Sequence, residues 1–274
     1  MTTTTMTEDI SEEFIRHLSD GQTLDTTSTF ETVLATRDKA WEMISSRLPL
    51  VEDLHCADIH TFDDLSGNPL GRMRNFTGDD CPIDWVIHSN IGSPTNTFTN
   101  IHLTCWMKDT VDVPHLGLAF GTLPEAFFYA DLMPRYELVT HPEYCREYYG
   151  PLNKLHLEFG KQLRKDGFVG LVPEMPFIRS SLSPCPIASI TSPEFFKQYA
   201  EPAILQVVEH WIDLVENAKP VTDPAERKFL AKRDYAQRHS IVYNDPANPI
   251  AERLVGKEAA DRLIRILAGE ERGG

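Results

Sequence analysis

Along the chain the spacing of apolar positions changes period twice. Over residues 29–48, Phe30, Val33, Leu34, Ala40, Trp41, Ile44 and Leu48 recur at near-helical intervals, which predicts an amphipathic helix leading into the core. The middle of the chain reads differently. Residues 84–87, 100–107, 114–120 and 126–133 are short runs rich in aromatic or β-branched residues, divided by Gly, Pro, Asn and Asp. They predict consecutive antiparallel strands, with residues 121–125 as a hairpin loop, because the connections are too short for parallel crossovers. From Pro193 the helical period returns, and Phe195, Phe196, Tyr199, Ile204, Val207, Val208, Trp211, Ile212 and Val215 form one stripe. Two more helices are expected over residues 224–240 and 250–268, the first opened by Asp223 as N-cap and Pro224 at the first helical position. Strands in the middle with helices at both ends predict an antiparallel sheet covered on both faces.

A chain of 274 residues can bury a substantial core. The Gly- and Pro-containing stretches at 66–69 and 180–186 sit among apolar runs and read as loops, so a single domain over residues 11–274 is expected after a disordered, Thr-rich tail at residues 1–10. That start has neither the basic residues nor the apolar run of a secretory signal. No stretch approaches the roughly 18 apolar residues a membrane span needs. Cys56, Cys81, Cys105, Cys145 and Cys185 are odd in number and scattered, with no C-x-x-C pair. They read as reduced thiols of a cytoplasmic protein, not as a disulfide frame or zinc site. A net charge of −15 argues against nucleic acid as a partner. It would also repel an acidic protein partner unless a local basic patch offsets it. Gly-rich dinucleotide loops, a P-loop, G-x-S-x-G and H-E-x-x-H are all missing, so no bound flavin, haem or metal is expected.

Several segments recur in one order. Cys81-Pro-Ile-Asp-Trp-Val-Ile-His-Ser89 resembles the P-I-D-F-V-I-x-S strand of red chlorophyll catabolite reductases. Tyr129-Ala-Asp-Leu-Met-Pro-Arg135, His141-Pro-Glu-Tyr144, Glu147-Tyr-Tyr149 and Phe177-Ile-Arg-Ser-Ser-Leu-Ser-Pro184 are similar to that family's D-L-x-x-R, N-P-D-Y, E-Y-Y and F-V-R-S-x-x-S-P segments. The likeness runs from about Thr32 to the C-terminus and takes in Ala200-Glu-Pro-Ala203 and Trp211. It implies the fold of the ferredoxin-dependent bilin reductases: a three-layer α/β/α sandwich with a central antiparallel sheet and a substrate pocket between the sheet and the C-terminal helices. It also implies an open-chain tetrapyrrole as substrate, ferredoxin as external electron donor, and protons supplied by the protein. In the superfamily those protons come from a carboxylate on a central strand, a histidine on the neighbouring strand of bilin reductases, and an aspartate of the C-terminal loop. Position by position, the strand carboxylate falls on Ala119, five residues after Pro114. The loop aspartate falls on Asp245, with Asn244 adjacent, and the histidine on His102.

Strand alternation sends His115, Gly117 and Ala119 to one face, and Asn100, His102, Thr104 and Trp106 to one face of the preceding strand. If Ala119 marks the pocket, His115 shares it, and the small residues at 117 and 119 enlarge its floor. His102 reads equally well as a hydrogen-bonded core or rim residue, and for His115 that reading weighs more than function. Asp131 is expected to cap backbone N–H groups or to pair with Arg135. Arg179 offers a planar fork to a substrate carboxylate or to an internal acid. Asp245 precedes Pro246 in a turn-like segment, where aspartate is common for local reasons alone. Trp106, Trp85 and Phe128 are candidates to line a pocket for a flat ligand, although strand aromatics are more often core. The leading expectation is an enzyme acting by proton transfer through His102 and Asp245 on a conjugated or aromatic small molecule such as a linear tetrapyrrole. A cofactor-independent lyase or isomerase on a phenolic substrate is the alternative, and a tetrapyrrole-binding protein without turnover a third. The oligomeric state stays open, a homodimer included.

Overall fold

The computed structural model describes residues 25–95, 98–122, 125–165 and 175–273. The tail expected at 1–10, and Leu123 and Pro124 of the hairpin loop, lie outside them. Helix α1 (Thr27–Arg47) leads to β1 (Leu50–Glu52), a 3-10 turn (Ala57–Ile59), β2 (Phe62–Asp63) and β3 (Pro69–Gly78). Strands β4 (Ile83–Ser93), β5 (Phe98–Met107), β6 (His115–Thr122) and β7 (Ala126–Met133) follow without interruption by helix. Then come α2 (Pro142–Lys165), α3 (Pro176–Arg179), β8 (Ile187–Thr191), α4 (Pro193–Phe195) and, after one π turn (Phe196–Ala200), α5 (Glu201–Glu216). Helices α6 (Pro224–Tyr243), α7 (Asn248–Val255) and α8 (Lys257–Leu267) end the chain. The strands pair in the order β1-β3-β4-β5-β6-β7-β8, with β2 on β3, and every pairing is antiparallel. The architecture is the expected three-layer α/β/α sandwich.

Alternation along the strands divides the side chains between two cores. Leu103, Leu116, Phe120 and Phe128 leave one face and pack with Val33, Ala40 and Ile44 of α1, Leu152 of α2 and Ile204 and Val207 of α5. Trp85, Ile87, Trp106 and Met133 leave the other face and pack with Leu263 and Ile266 of α8. Two of the buried indoles at these seams find an acceptor in the layer they meet: Trp211 Nε1 donates to the Pro114 carbonyl at 3.0 Å and Trp85 Nε1 to the Ile266 carbonyl at 3.1 Å.

The four expected strands are present, but β4 runs on to Ser93, and β1, β2, β3 and β8 extend the sheet beyond them. Helix α2 was not anticipated, although Tyr144, Tyr148, Leu152, Phe159 and Leu163 give it a buried stripe. Its Gly150-Pro151 pair interrupts the pattern as a loop would. Residues 250–268 form two helices, not one. Gly256 divides them at φ +83°, a left-handed conformation in which its N–H closes α7 onto the Glu252 carbonyl. The Asp223 cap is as expected, its Oδ1 accepting from Ala225 N at 3.0 Å.

Candidate functional site

Direct cross-strand partners share a face, so the register strings side chains into rows. One row runs Met73, Ser89, His102, Ala119, Tyr129, Ala188 across six strands, on the face that α6, α7 and α8 partly cover. Where α7, α8 and the turn before them stand off from β3, β4 and β5 they leave an open-mouthed cleft, with about 510 Å³ between the atoms once the open solvent at its mouth is counted. Asn100, His102 and Ser89 line it from the sheet, Asp245 from the turn between α6 and α7, Asn248 from the start of α7, and Leu263 from α8.

His102 and Asp245, far apart in sequence, thus meet at one cleft. Burial holds the His102 imidazole below its ordinary pKa; the Asp245 carboxylate pulls the other way, and the Arg37 guanidinium adds to the depression. Arg37 is buried in α1, bonded to Asp38 at 2.7 Å and to the Ser89 carbonyl at 3.2 Å. Asp245 is held by its own turn: its Oδ1 accepts from Ala247 N at 2.8 Å, and its carbonyl from Asn248 N at 3.1 Å. The local role foreseen for an aspartate before Pro246 and a place in the cleft are therefore both true of it.

Ala119 sits directly opposite His102 in the β5–β6 register, so a side chain there stands beside the imidazole. It is half-buried on the shared face, as is Gly117, yet neither lines the cleft, which ends at β5. His115 corrects the expectation more sharply. It leaves the same face but is fully buried under α6, with both ring nitrogens engaged. Nδ1 accepts from Met107 N at 2.9 Å, which puts the ring proton on Nε2, and Nε2 donates to Asp234 Oδ1 at 3.0 Å. Burial pushes this imidazole down to about 4 against the pull of Asp234. Burial alone would raise Asp234, but His115 and Arg135 outweigh it and bring the carboxyl down to about 2. A proton held this way is structural. The same helix explains Trp106, which is 2 % exposed, edge-on to His115 with ring centres 4.7 Å apart and covered by Arg238, and so is core, as are Trp85 and Phe128.

Arg179 lies exposed on α3, and Asn244 caps α6 by donating to the Ser240 carbonyl at 2.8 Å; neither lines the cleft. Arg135 does not pair with Asp131. It gives Nη2 to Asp234 Oδ2 at 2.6 Å, while Asp131 takes the Ser183 N–H at 2.7 Å. Capping of a backbone N–H is the role expected for Asp131, and burial pushes its carboxyl up to about 6 in spite of the Ser183 donors. The cleft also holds residues that sequence reasoning passed over. Asn100 was placed on the face of His102 but not singled out, and Ser89 and Asn248 gave no signal, since one lies in an apolar strand and the other opens a helix that was read as part of a longer one.

With this geometry in view, the comparisons with known proteins fall into place. The family model of red chlorophyll catabolite reductase (RCC reductase) matches residues 42–269. The chain belongs to this family. The chloroplastic RCC reductase of Arabidopsis thaliana is 25% identical over 230 residues, covering 77% of this chain and 70% of that protein. The chloroplastic RCC reductase 1 of Oryza sativa subsp. japonica is 25% identical over 225 residues, covering 73% of this chain and 64% of its own length. Phytochromobilin synthase from tomato, solved in complex with biliverdin, shares the fold at a TM-score of 0.72 and 19% identity, over 85% of this chain and 81% of that one. The two plant relatives, both chloroplastic, overturn the cytoplasmic expectation. Scattered reduced thiols fit any reducing compartment and do not choose among them. No helix among the described residues is long and apolar enough to cross a membrane.

Proposed function

We propose that this RCC reductase family member is an enzyme acting on a linear tetrapyrrole held between the sheet and helices α6 to α8, with His102 and Asp245 as its proton-transfer groups. The observation that carries the reading is their convergence on one cleft from two distant parts of the chain. Reducing one double bond of the conjugated ligand takes two electrons and two protons. An external donor such as ferredoxin supplies the electrons, and no bound cofactor is needed. His102 is suited to deliver a proton because a buried imidazolium beside Arg37 releases it readily, and the Asp245 charge steadies the cation until it does. Asp245 is the second proton-transfer group.

The alanine at 119 removes a group that as a general acid is typically worth about 10²- to 10⁴-fold, so turnover is expected to be slow. It also favours a second reading, a tetrapyrrole-binding protein without turnover. Mixing the protein with biliverdin, with and without reduced ferredoxin, separates the readings by absorption spectra. Reductant-dependent loss of the long-wavelength band supports the enzyme, a static shift supports the binder, and no change in either condition refutes both.

A further inference from the structure

Asn100 lies two residues before His102 on β5, so both side chains leave the same face, and both line the cleft. It is 9 % exposed, and its Oδ1 has no hydrogen-bond partner among the described residues. Its register partners are Ile91 on β4 and Gly121 on β6, neither of which has a side-chain donor. A buried acceptor left unpaired has given up its hydration for nothing, which is why such atoms are rare in folded chains. The cleft that Asn100 lines is a space from which a donor can reach it.

We propose that Asn100 is a ligand-binding residue: its side-chain oxygen accepts a hydrogen bond from a ring N–H of the bound linear tetrapyrrole and holds that ring against His102. The inference rests on the proposed function for the substrate class alone. A pyrrole N–H needs an acceptor, and an amide oxygen stays one at every working pH, whereas the His102 imidazole loses its lone pair each time it is protonated. The two residues thus divide the work, one recognising and the other exchanging the proton.

Biliverdin titrations of the wild-type protein, Asn100→Leu and Asn100→Asp, read by absorbance, test the assignment together with thermal melts of the free proteins. Asn100→Leu should bind at least ten-fold more weakly while melting no lower than wild type, because nothing in the free protein pairs with the lost oxygen. Asn100→Asp, which keeps an acceptor in place, should recover much of the binding. Wild-type protein that binds no biliverdin overturns the substrate class and the inference with it. Wild-type protein that binds, beside Asn100→Leu that binds within two-fold of it, overturns the assignment of Asn100 alone. A melt lowered by several degrees in Asn100→Leu, or failure of that variant to fold, also overturns it, since the residue would then be structural.

Discussion

His115→Leu removes a buried imidazole that satisfies Met107 N–H on one side and Asp234 on the other. Leucine fills most of the volume against Trp106, so the loss is of hydrogen bonds more than of packing. The Met107 N–H is left buried without an acceptor, at about 1–3 kcal/mol. Asp234 keeps both of its bonds from Arg135, at 2.6 and 3.2 Å, and loses one neutral donor, which adds about 1 kcal/mol. A deficit of about 2–4 kcal/mol is therefore expected at pH 7, out of a total stability of about 5–15 kcal/mol. The pH dependence carries a sign. The folded pKa of His115 is pushed down to about 4 from an ordinary 6.5, so between those values the unfolded chain binds a proton that the folded chain refuses. The stability due to neutral His115 is thus present above pH 6.5 and lost as pH falls toward 4; at pH 5 about 2 kcal/mol of it is gone from the wild type. The variant has no such group, and its deficit should narrow by about that amount. Asp131, pushed up to about 6, titrates with the opposite sign in the same window, but it is present in both proteins and cancels from the difference. Urea unfolding followed by tryptophan fluorescence at pH 7 and pH 5, with equal m-values, gives the two deficits. A deficit that does not change with pH refutes the buried neutral imidazole, and a fully stable variant that loses turnover would return His115 to the catalytic residues.

His102→Gln and Asp245→Asn should each lower turnover of the tetrapyrrole by about 10²- to 10⁴-fold with melting temperatures unchanged, since each removes proton transfer but little volume; steady-state rates beside thermal melts check this. Ala119→Glu places a carboxyl beside His102 and should raise the reduction rate; a variant that alters neither rate nor biliverdin binding would show that position 119 does not address the ligand. Gly121→Ala should destabilise by about 1–3 kcal/mol, because an added Cβ would lie 2.1 Å from Phe127 Cε1 and 2.4 Å from the Thr99 carbonyl oxygen. Gly117→Ala should cost under about 1 kcal/mol, its nearest contact being the flexible end of Met133 at 3.2 Å; paired chemical melts compare the two.

Period-2 alternation was enough to group Asn100, His102 and Trp106 on one face of β5 and His115 and Ala119 on one face of β6, because within a strand the face of a side chain depends only on whether its position is odd or even; that the two groups share a face of the sheet came from the β5–β6 register. The spacing of the apolar stripes likewise placed α1 and α5, and the Asp223-Pro224 pair placed the start of α6, since caps are chosen by neighbours in the chain. The ordered motifs carried the family and hence the sandwich. Local pattern also misled, as when Gly150-Pro151 hid α2 and the apolar stripe across Gly256 concealed a break that depends on one positive φ.

What lies above each face was decided elsewhere. His102 and His115 lie on the same face of the sheet, but Asp234 arrives over one on α6 and Asp245 stands near the other in the turn that follows. The first contact locks a ring and the second leaves one facing a cleft. Likewise Arg135 passes over Asp131, its near neighbour in sequence, for Asp234 on a distant helix. Strand periodicity is a property of neighbours along the chain and can be read there. The partner of a buried charge is set by where α6 to α8 pack, a sum over many weak contacts between segments far apart, and only the assembled tertiary structure supplies it.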